Sequence, residues 1–175
     1  MPNWVRNVLT ITGNPYKVER LQEFVKGDEG NGFDFRKLVS PLHEDEYQKS
    51  LGEGGATPYW YAWNNEHWGT KWNSHDTEVV YATPGEVQIT FETAWSQPDP
   101  IMESLVRICD QLDLDLEWRF TEEQGWGGVL QLEGGFVHTE EWSIPETHDE
   151  YELRLGECWC YHSESDDDKP FADCP

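Results

Sequence analysis

The sequence predicts an α+β domain in which helices pack on one face of a largely antiparallel sheet. Residues 87–91 and 114–120 alternate apolar with polar side chains, as strands do when one face of a sheet is buried. Residues 18–25 and 101–112 carry apolar side chains at helical spacing instead. The two helical segments lie between strand segments, which is the order of an α+β sandwich.

The N-terminal part predicts a strand, a helix and a second strand. Residues 4–13 are rich in β-branched side chains, and residues 8–11 have the character of a central strand. Pro15 suits the first turn of a helix, which we expect to end at Gly27. Residues 33–39 predict a short second strand that ends before Pro41.

Residues 41–75 form a long insertion, polar at first and then densely aromatic. The spacing of its tryptophans indicates a short helix followed by a turn at Gly69. A connection this long is packed against the domain or is functional.

The C-terminal half predicts a hairpin, a helix and three strands. The hairpin spans residues 77–93, and the helix begins near Pro98. Strands follow at residues 114–120, 125–132 and 136–142, with one more short strand at residues 151–155. This order fits the ferredoxin-like arrangement, β-α-β-β-α-β, with an extended sheet. We therefore divide the chain into a domain at residues 1–142 and an acidic, cysteine-containing extension at residues 143–175.

The charge is strongly negative and unevenly distributed. The 175 residues include 12 basic and 35 acidic side chains, a net charge of -23. Residues 76–175 hold 25 of the acidic side chains and four of the basic ones. Direct nucleic-acid binding and attraction to an anionic membrane are both disfavoured, because each needs clustered Lys and Arg. A solvated, soluble face is one interpretation, and a surface that competes for a basic site on another protein is the other.

Membrane insertion and secretion are not expected either. No apolar run approaches the length of a membrane-spanning helix, and the N-terminus lacks the features of a signal peptide. We expect a cytoplasmic protein of a bacterial host cell.

The cysteines give little support for a metal site. Cys109 falls in the apolar stripe of a predicted helix and is expected to be buried. Cys158, Cys160, His162 and Cys174 are weak candidate ligands, because structural zinc sites usually place two to four residues between paired cysteines and this pair has one. Free thiols are the favoured interpretation, and no cofactor is predicted.

The aromatic block allows two interpretations. Trp68, Lys71 and Trp72, together with Trp95, are a candidate platform for a small molecule or a carbohydrate. The favoured alternative is that these rings pack as the insertion's own core, with Lys71 in an internal cation–π contact.

An enzyme is not favoured. Neighbouring His and acidic residues, such as His75 and Asp76, arise by chance in a chain this acidic. The sequence contains no phosphate-binding glycine loop, no nucleophile elbow and no zinc-binding His-Glu-x-x-His motif.

Three blocks carry a resemblance to a known family. They are residues 2–4 (PNW) with residues 9–13 (LTITG), residues 66–73 (EHWGTKWN) and residues 91–98 (FETAWSQP). In this order they resemble the YubB-type ferredoxin-like domain family, small proteins of conjugative plasmids, phages and their hosts. The resemblance covers residues 1–142 and implies the same fold and a mobile-element context. The family often has Cys after the first Trp, where this chain has Val5.

These observations lead to a functional hypothesis. We expect a non-enzymatic phage or plasmid accessory protein, an anti-CRISPR or anti-restriction inhibitor that mimics nucleic acid and binds a basic, nucleic-acid-handling host protein. The candidate acidic surface comprises Glu122, Glu123, Glu140, Glu141, Asp149, Glu150 and Glu152, supplemented by Asp166, Asp167 and Asp168. The alternative is a small-molecule or carbohydrate-binding module that uses the Trp-rich insertion.

Overall fold

The computed structural model describes residues 2–27, 32–52, 58–145 and 150. These residues form a six-stranded sheet with four α-helices. The strands are β1 (Trp4–Thr12), β2 (His75–Thr83), β3 (Glu86–Ala94), β4 (Asp115–Glu122), β5 (Gly127–Glu133) and β6 (Phe136–Trp142). The helices are α1 (Pro15–Val25), α2 (Glu44–Leu51), α3 (Tyr59–His67) and α4 (Asp99–Gln111).

The sheet has the predicted ferredoxin-like topology. Its order is β2-β3-β1-β4-β5-β6, and every neighbouring pair is antiparallel. β1 lies in the centre between β3 and β4, so α1 and α4 each connect strands that are not neighbours. β5 and β6 extend this arrangement beyond β4 as a hairpin.

Alternation along the strands separates two faces of the sheet. On one face, the side chains of Val5, Leu9 and Ile11 in β1 are completely or almost completely buried. They join one hydrophobic core with apolar residues of α1 and α4, so both helices pack on this face. We call it the covered face. The alternate side chains of β1, such as Arg6 and Thr10, are half-buried or exposed on the opposite side, the open face.

The core of the covered face is aromatic and contains a buried polar network that joins three strands. Phe33, Phe91 and Trp118 pack with ring centroids 5.0–6.0 Å apart. The Trp118 Nε1–H donates to Asn7 Oδ1 at 3.0 Å, and Asn7 Nδ2 donates to Thr93 Oγ1 at 3.1 Å. The polar groups of the buried indole and amide therefore find hydrogen-bond partners in a chain that crosses β4, β1 and β3.

The prediction of a strand at residues 33–39 is wrong. Residues Phe35–Lys37 form a 3₁₀ turn, which the Asp34 side chain caps by accepting a hydrogen bond from the Arg36 backbone. Phe33 and Phe35 are both fully buried. Their alternation arises because two anchors of a loop enter the same core, and it does not reflect strand pairing.

The insertion at residues 41–75 contains α2 and α3, and the predicted short helix with a turn at Gly69 is confirmed. Gly69 has a φ of +77°, and a Cβ there would lie 2.8 Å from the Pro100 side chain, so both the backbone and the space favour glycine. Trp63 and Trp68 are buried and contact Tyr47 of α2. The insertion thus extends the main core.

The predicted strand at residues 151–155 and most of the predicted extension at residues 143–175 lie outside the described residues. Within the described part of the chain, no helix combines the length and apolar character needed to cross a membrane.

Candidate functional site

The open face of the sheet carries many carboxylates at fixed positions. The pairing registers place residues of all six strands on this face, every second residue in five strands and at irregular spacing in β2. Two arginines are among them, Arg6 and Arg119. The carboxylates at these outward positions are Glu78, Glu86, Glu92, Asp115, Glu117, Glu133 and Glu140. Acidic groups therefore strongly outnumber basic ones across this face.

One end of the open face forms an acidic groove of about 310 Å³. Asp115, Glu117 and Glu133 line it, together with threonines of β1. Gln131 Nε2 donates to Glu117 Oε2 at 2.7 Å, and Asp115 Oδ1 accepts from the backbone of Gly134 at 3.0 Å. These bonds hold two of the carboxylates in defined orientations.

Sequence reasoning did not include these groove residues among the candidates, although a usable signal was present. The alternation of residues 114–120 already places Asp115 and Glu117 on the outward side of a strand. Counting charges by strand face, and not by runs along the chain, would have found them.

Glu122 is the candidate that the structure removes from the acidic surface. Its side chain is 1% exposed. Glu122 Oε1 accepts from Asn3 Nδ2 at 2.8 Å, and Oε2 accepts from the Gln124 backbone N–H at 2.6 Å. The expectation of surface exposure is wrong because this carboxylate ties the N-terminus to the β4–β5 turn.

The remaining acidic candidates divide between several places. Glu123 is exposed, and its Oε1 accepts from the Trp4 backbone N–H at 3.2 Å. Glu140 and Glu141 are both exposed, but they point to opposite sides of β6, so only Glu140 belongs to the open face. Glu150 is exposed. The other candidates, Asp149, Glu152, Asp166, Asp167 and Asp168, lie outside the described residues.

The proposed aromatic platform is not a single surface. Trp68 is 2% exposed, and its Nε1–H donates to the Val39 carbonyl at 2.9 Å, so it belongs to the core. Trp72 is partly exposed, and the Lys71 Nζ lies 4.4 Å from its ring centroid, an internal cation–π contact. Trp95 is more than half exposed with a φ of +75°. The packing interpretation is therefore correct for Trp68.

A second groove, of about 390 Å³, lies between the insertion and the 3₁₀ turn. Trp60 and Trp72 line it, together with the polar side chains of Asp34, Arg36 and Gln48. Arg36 is also paired with Glu44, at 3.0 Å between Nη2 and Oε1. The groove thus combines aromatic surface with charged and amide groups, although Arg36 is already partly neutralised.

The cysteines within the described residues offer no nucleophile. Cys109 is fully buried, and burial raises the pKa of its thiol to about 12. A thiol with this pKa is protonated at neutral pH and is unreactive. Cys158, Cys160, His162 and Cys174 lie outside the described residues.

Comparisons with known proteins point to the same fold. A family model described as "Ferredoxin-like domain in Api92-like protein" matches residues 67–164, more than half of the chain. The crystal structure of protein api92 from Yersinia pseudotuberculosis superposes with a TM-score of 0.53 at 11% sequence identity. The superposition covers 83% of this chain and 99% of that chain. No curated protein matches this sequence. The comparisons support a ferredoxin-like family but not the YubB-type name.

Proposed function

The chain belongs to the family of ferredoxin-like domains in Api92-like proteins, and from that premise we propose that it is a non-enzymatic binding protein whose acidic open face occupies a basic, nucleic-acid-binding site on a partner protein. The family description names a fold and no reaction. The proposal has four further parts: the YubB-type resemblance, the phage or plasmid context, the cytoplasmic location and the inhibition of a CRISPR or restriction protein.

The observation that carries the proposal is the carboxylate pattern of the open face. Neighbouring strands lie about 4.8 Å apart and alternate residues of one strand about 6.8 Å apart, so the sheet fixes the spacing between its outward carboxylates. Duplex DNA presents one charge per about 1.7 Å of axis. A rigid sheet holds such charges without the entropy cost of ordering a flexible acidic segment.

The charge ratio supports the same partner class. A basic channel that binds nucleic acid attracts carboxylates and repels Lys and Arg. Among the described outward positions of the open face, only Arg6 and Arg119 carry a positive side chain of this kind. Complementary electrostatic fields accelerate association, and dissolved salt screens them. Binding should therefore be fast and strongly dependent on ionic strength.

The test is a pull-down from a bacterial host lysate at low salt, eluted with a salt gradient and identified by mass spectrometry. The bait is compared with an open-face variant that combines Asp115→Asn, Glu117→Gln, Glu133→Gln and Glu140→Gln. A matched control combines Glu19→Gln, Glu23→Gln, Glu103→Gln and Asp110→Asn, which removes four exposed carboxylates from α1 and α4.

We expect a nucleic-acid-handling protein to be captured by the wild type and by the helix control but lost with the open-face variant. Equal loss with both variants would show that net charge alone determines capture, and the open face would then have no specific role. Capture that survives high salt in all three baits would contradict the electrostatic account.

The groove between the insertion and the 3₁₀ turn supports a second candidate function, the binding of a small polar ligand such as a saccharide. Partly exposed Trp72 supplies an aromatic face, and Asp34, Arg36 and Gln48 supply hydrogen-bonding groups. A saccharide panel, observed by ligand NMR, tests it. Trp72→Ala should remove binding with a nearly unchanged melting temperature, whereas Trp68→Ala should destabilise the fold whatever the ligand.

A further inference from the structure

Three side chains with metal-binding donors meet at the end of the open face where β2 begins. His75 and Asp76 are the first two residues of β2, and His75 lies opposite Glu92 of β3 in the pairing register. One donor atom from each residue lies within 4.8 Å of the other two. His75 Nδ1 is 3.3 Å from Asp76 Oδ2. The three donors come from two hydrogen-bonded strands, so a rigid framework brings them together.

We propose that His75, Asp76 and Glu92 form a binding site for a divalent first-row transition metal ion. One imidazole and two carboxylates suit Mn²⁺, Co²⁺ and Zn²⁺, whereas they lack the sulfur ligands that copper(I) prefers. Three protein ligands leave at least one coordination position for water or for a group of a bound partner.

The observed spacing fits this assignment. With the metal–ligand distances of zinc, about 2.0–2.1 Å, two donors of a tetrahedral site lie about 3.3–3.4 Å apart. The separation of His75 Nδ1 and Asp76 Oδ2, 3.3 Å, already matches that value. Glu92 closes the remaining distance by side-chain rotation, because it has the longest and most flexible side chain of the three.

The orientation of the imidazole is held from outside the cluster. The Trp4 ring stacks on the His75 ring, with centroids 4.9 Å apart and an interplanar angle of 25°. Trp72 packs behind Trp4 at 6.0 Å. An imidazole that a neighbouring ring restrains loses less conformational freedom when it binds a metal. Residues around known metal sites orient their ligands in a similar way.

The surrounding charges also suit a cation, and the backbone limits which residues can replace Asp76. Asp76 has a φ of +44°, a left-handed conformation that Asp and Asn adopt more readily than most residues. The carboxylates of Asp76 and Glu92 each place an oxygen within 4.8 Å of the other. A bound divalent cation would offset the mutual repulsion of these carboxylates.

The experiment is a Mn²⁺ titration of the full chain at moderate salt, followed by isothermal calorimetry and by paramagnetic broadening of backbone amide signals. Mn²⁺ is chosen because it prefers carboxylate and imidazole over thiolates, so cysteines elsewhere in the chain compete poorly. We expect one site, with broadening that appears first at Trp4, His75, Asp76 and Glu92. Zn²⁺ should displace Mn²⁺ from it, as its higher place in the stability order requires.

The variants are His75→Ala, Asp76→Asn and Glu92→Gln, each of which should weaken Mn²⁺ binding by at least about tenfold. Asp76→Asn keeps the backbone unstrained, because Asn also adopts the left-handed conformation readily. His138→Ala is the matched control, because His138 is an exposed histidine on the same face in β6, and it should bind like the wild type.

Signal broadening spread evenly over the open face, or an unchanged Mn²⁺ affinity of His75→Ala, would overturn the proposed site. The metal site shares Glu92 with the open face but none of the carboxylates that line the groove. Its failure leaves partner capture by the groove carboxylates unaffected, and the two results are measured on different variants.

Discussion

The two faces of the sheet use the same strands for different purposes. On the covered face, Leu9, Ile89 and Trp118 are fully buried and pack into a continuous core. On the open face, Thr10, Glu92 and Glu117 alternate with them and remain half-buried. Apolar burial stabilises the fold, while substitutions at outward positions usually change stability little. The difference teaches that the fold and the charge pattern are encoded by separate, interleaved sets of residues.

The largest expected effect is on the covered face. Trp118→Ala should lower the free energy of unfolding by about 3–5 kcal/mol, because it leaves a large cavity between Phe33 and Phe91 and removes the donor to Asn7 Oδ1. Urea denaturation measures it. Phe136→Ala, at a side chain that is 83% exposed, is the control and should change stability by no more than about 0.5 kcal/mol. Equal losses in both variants would erase the proposed distinction between the faces.

A buried carboxylate provides a sharper comparison within one residue type. Glu122→Gln should destabilise the protein by about 1–3 kcal/mol, because it weakens the bonds from Asn3 Nδ2 and the Gln124 backbone. Glu133→Gln, on the exposed side of β5, should be close to neutral. If chemical denaturation shows Glu122→Gln to be neutral as well, Glu122 does not tie the N-terminus to the β4–β5 turn.

A smaller effect concerns pH and the start of α4. Burial raises the pKa of Asp99 above its ordinary value of 3.8, and Glu141 and Glu103 add to the rise while a hydrogen bond from Gln97 opposes it. The folded state then binds this proton more tightly than the unfolded chain does. The contribution of Asp99 to stability is therefore favourable at acidic pH and is lost as the pH rises through the folded pKa.

Asp99→Asn should accordingly gain stability relative to the wild type as the pH rises from 3.8 to neutral, by a small amount because Asp99 is exposed and solvent screens its charge. Melting temperatures of both proteins between neutral and acidic pH measure the difference. Asp113→Asn, an exposed aspartate paired with Lys17, is a control that should not reproduce this pattern. A difference that is constant with pH would contradict the assignment.

Much of the fold follows from sequence periodicity. The alternation at residues 87–91 and 114–120 and the helical spacing at residues 101–112 correspond to β3, β4 and α4. Periodicity is a local signal, so it is informative wherever one face of an element is buried. It failed at residues 33–39, because two phenylalanines of a loop reached the same core and imitated a strand.

The candidate site was only partly accessible from the sequence. Charge counting identified the acidic half of the chain but not the face, because Glu122 and Glu123 are neighbours with opposite burial. The meeting of His75 and Asp76 with Glu92 depends on the register of the β2–β3 hairpin, and two irregularities in β2 shift that register between the turn and His75. The stacking of Trp4 on His75 likewise joins residues that are far apart in sequence.

The salt dependence of affinity for the captured partner tests most directly whether the open face binds that partner through its charges. The wild type, the open-face variant and the helix control would be titrated with that partner over a range of salt concentrations. We expect a steep and similar salt dependence of affinity for the wild type and the helix control, and a lower affinity with a shallower salt dependence for the open-face variant. Identical curves for the open-face variant and the wild type would show that the partner binds elsewhere on the molecule.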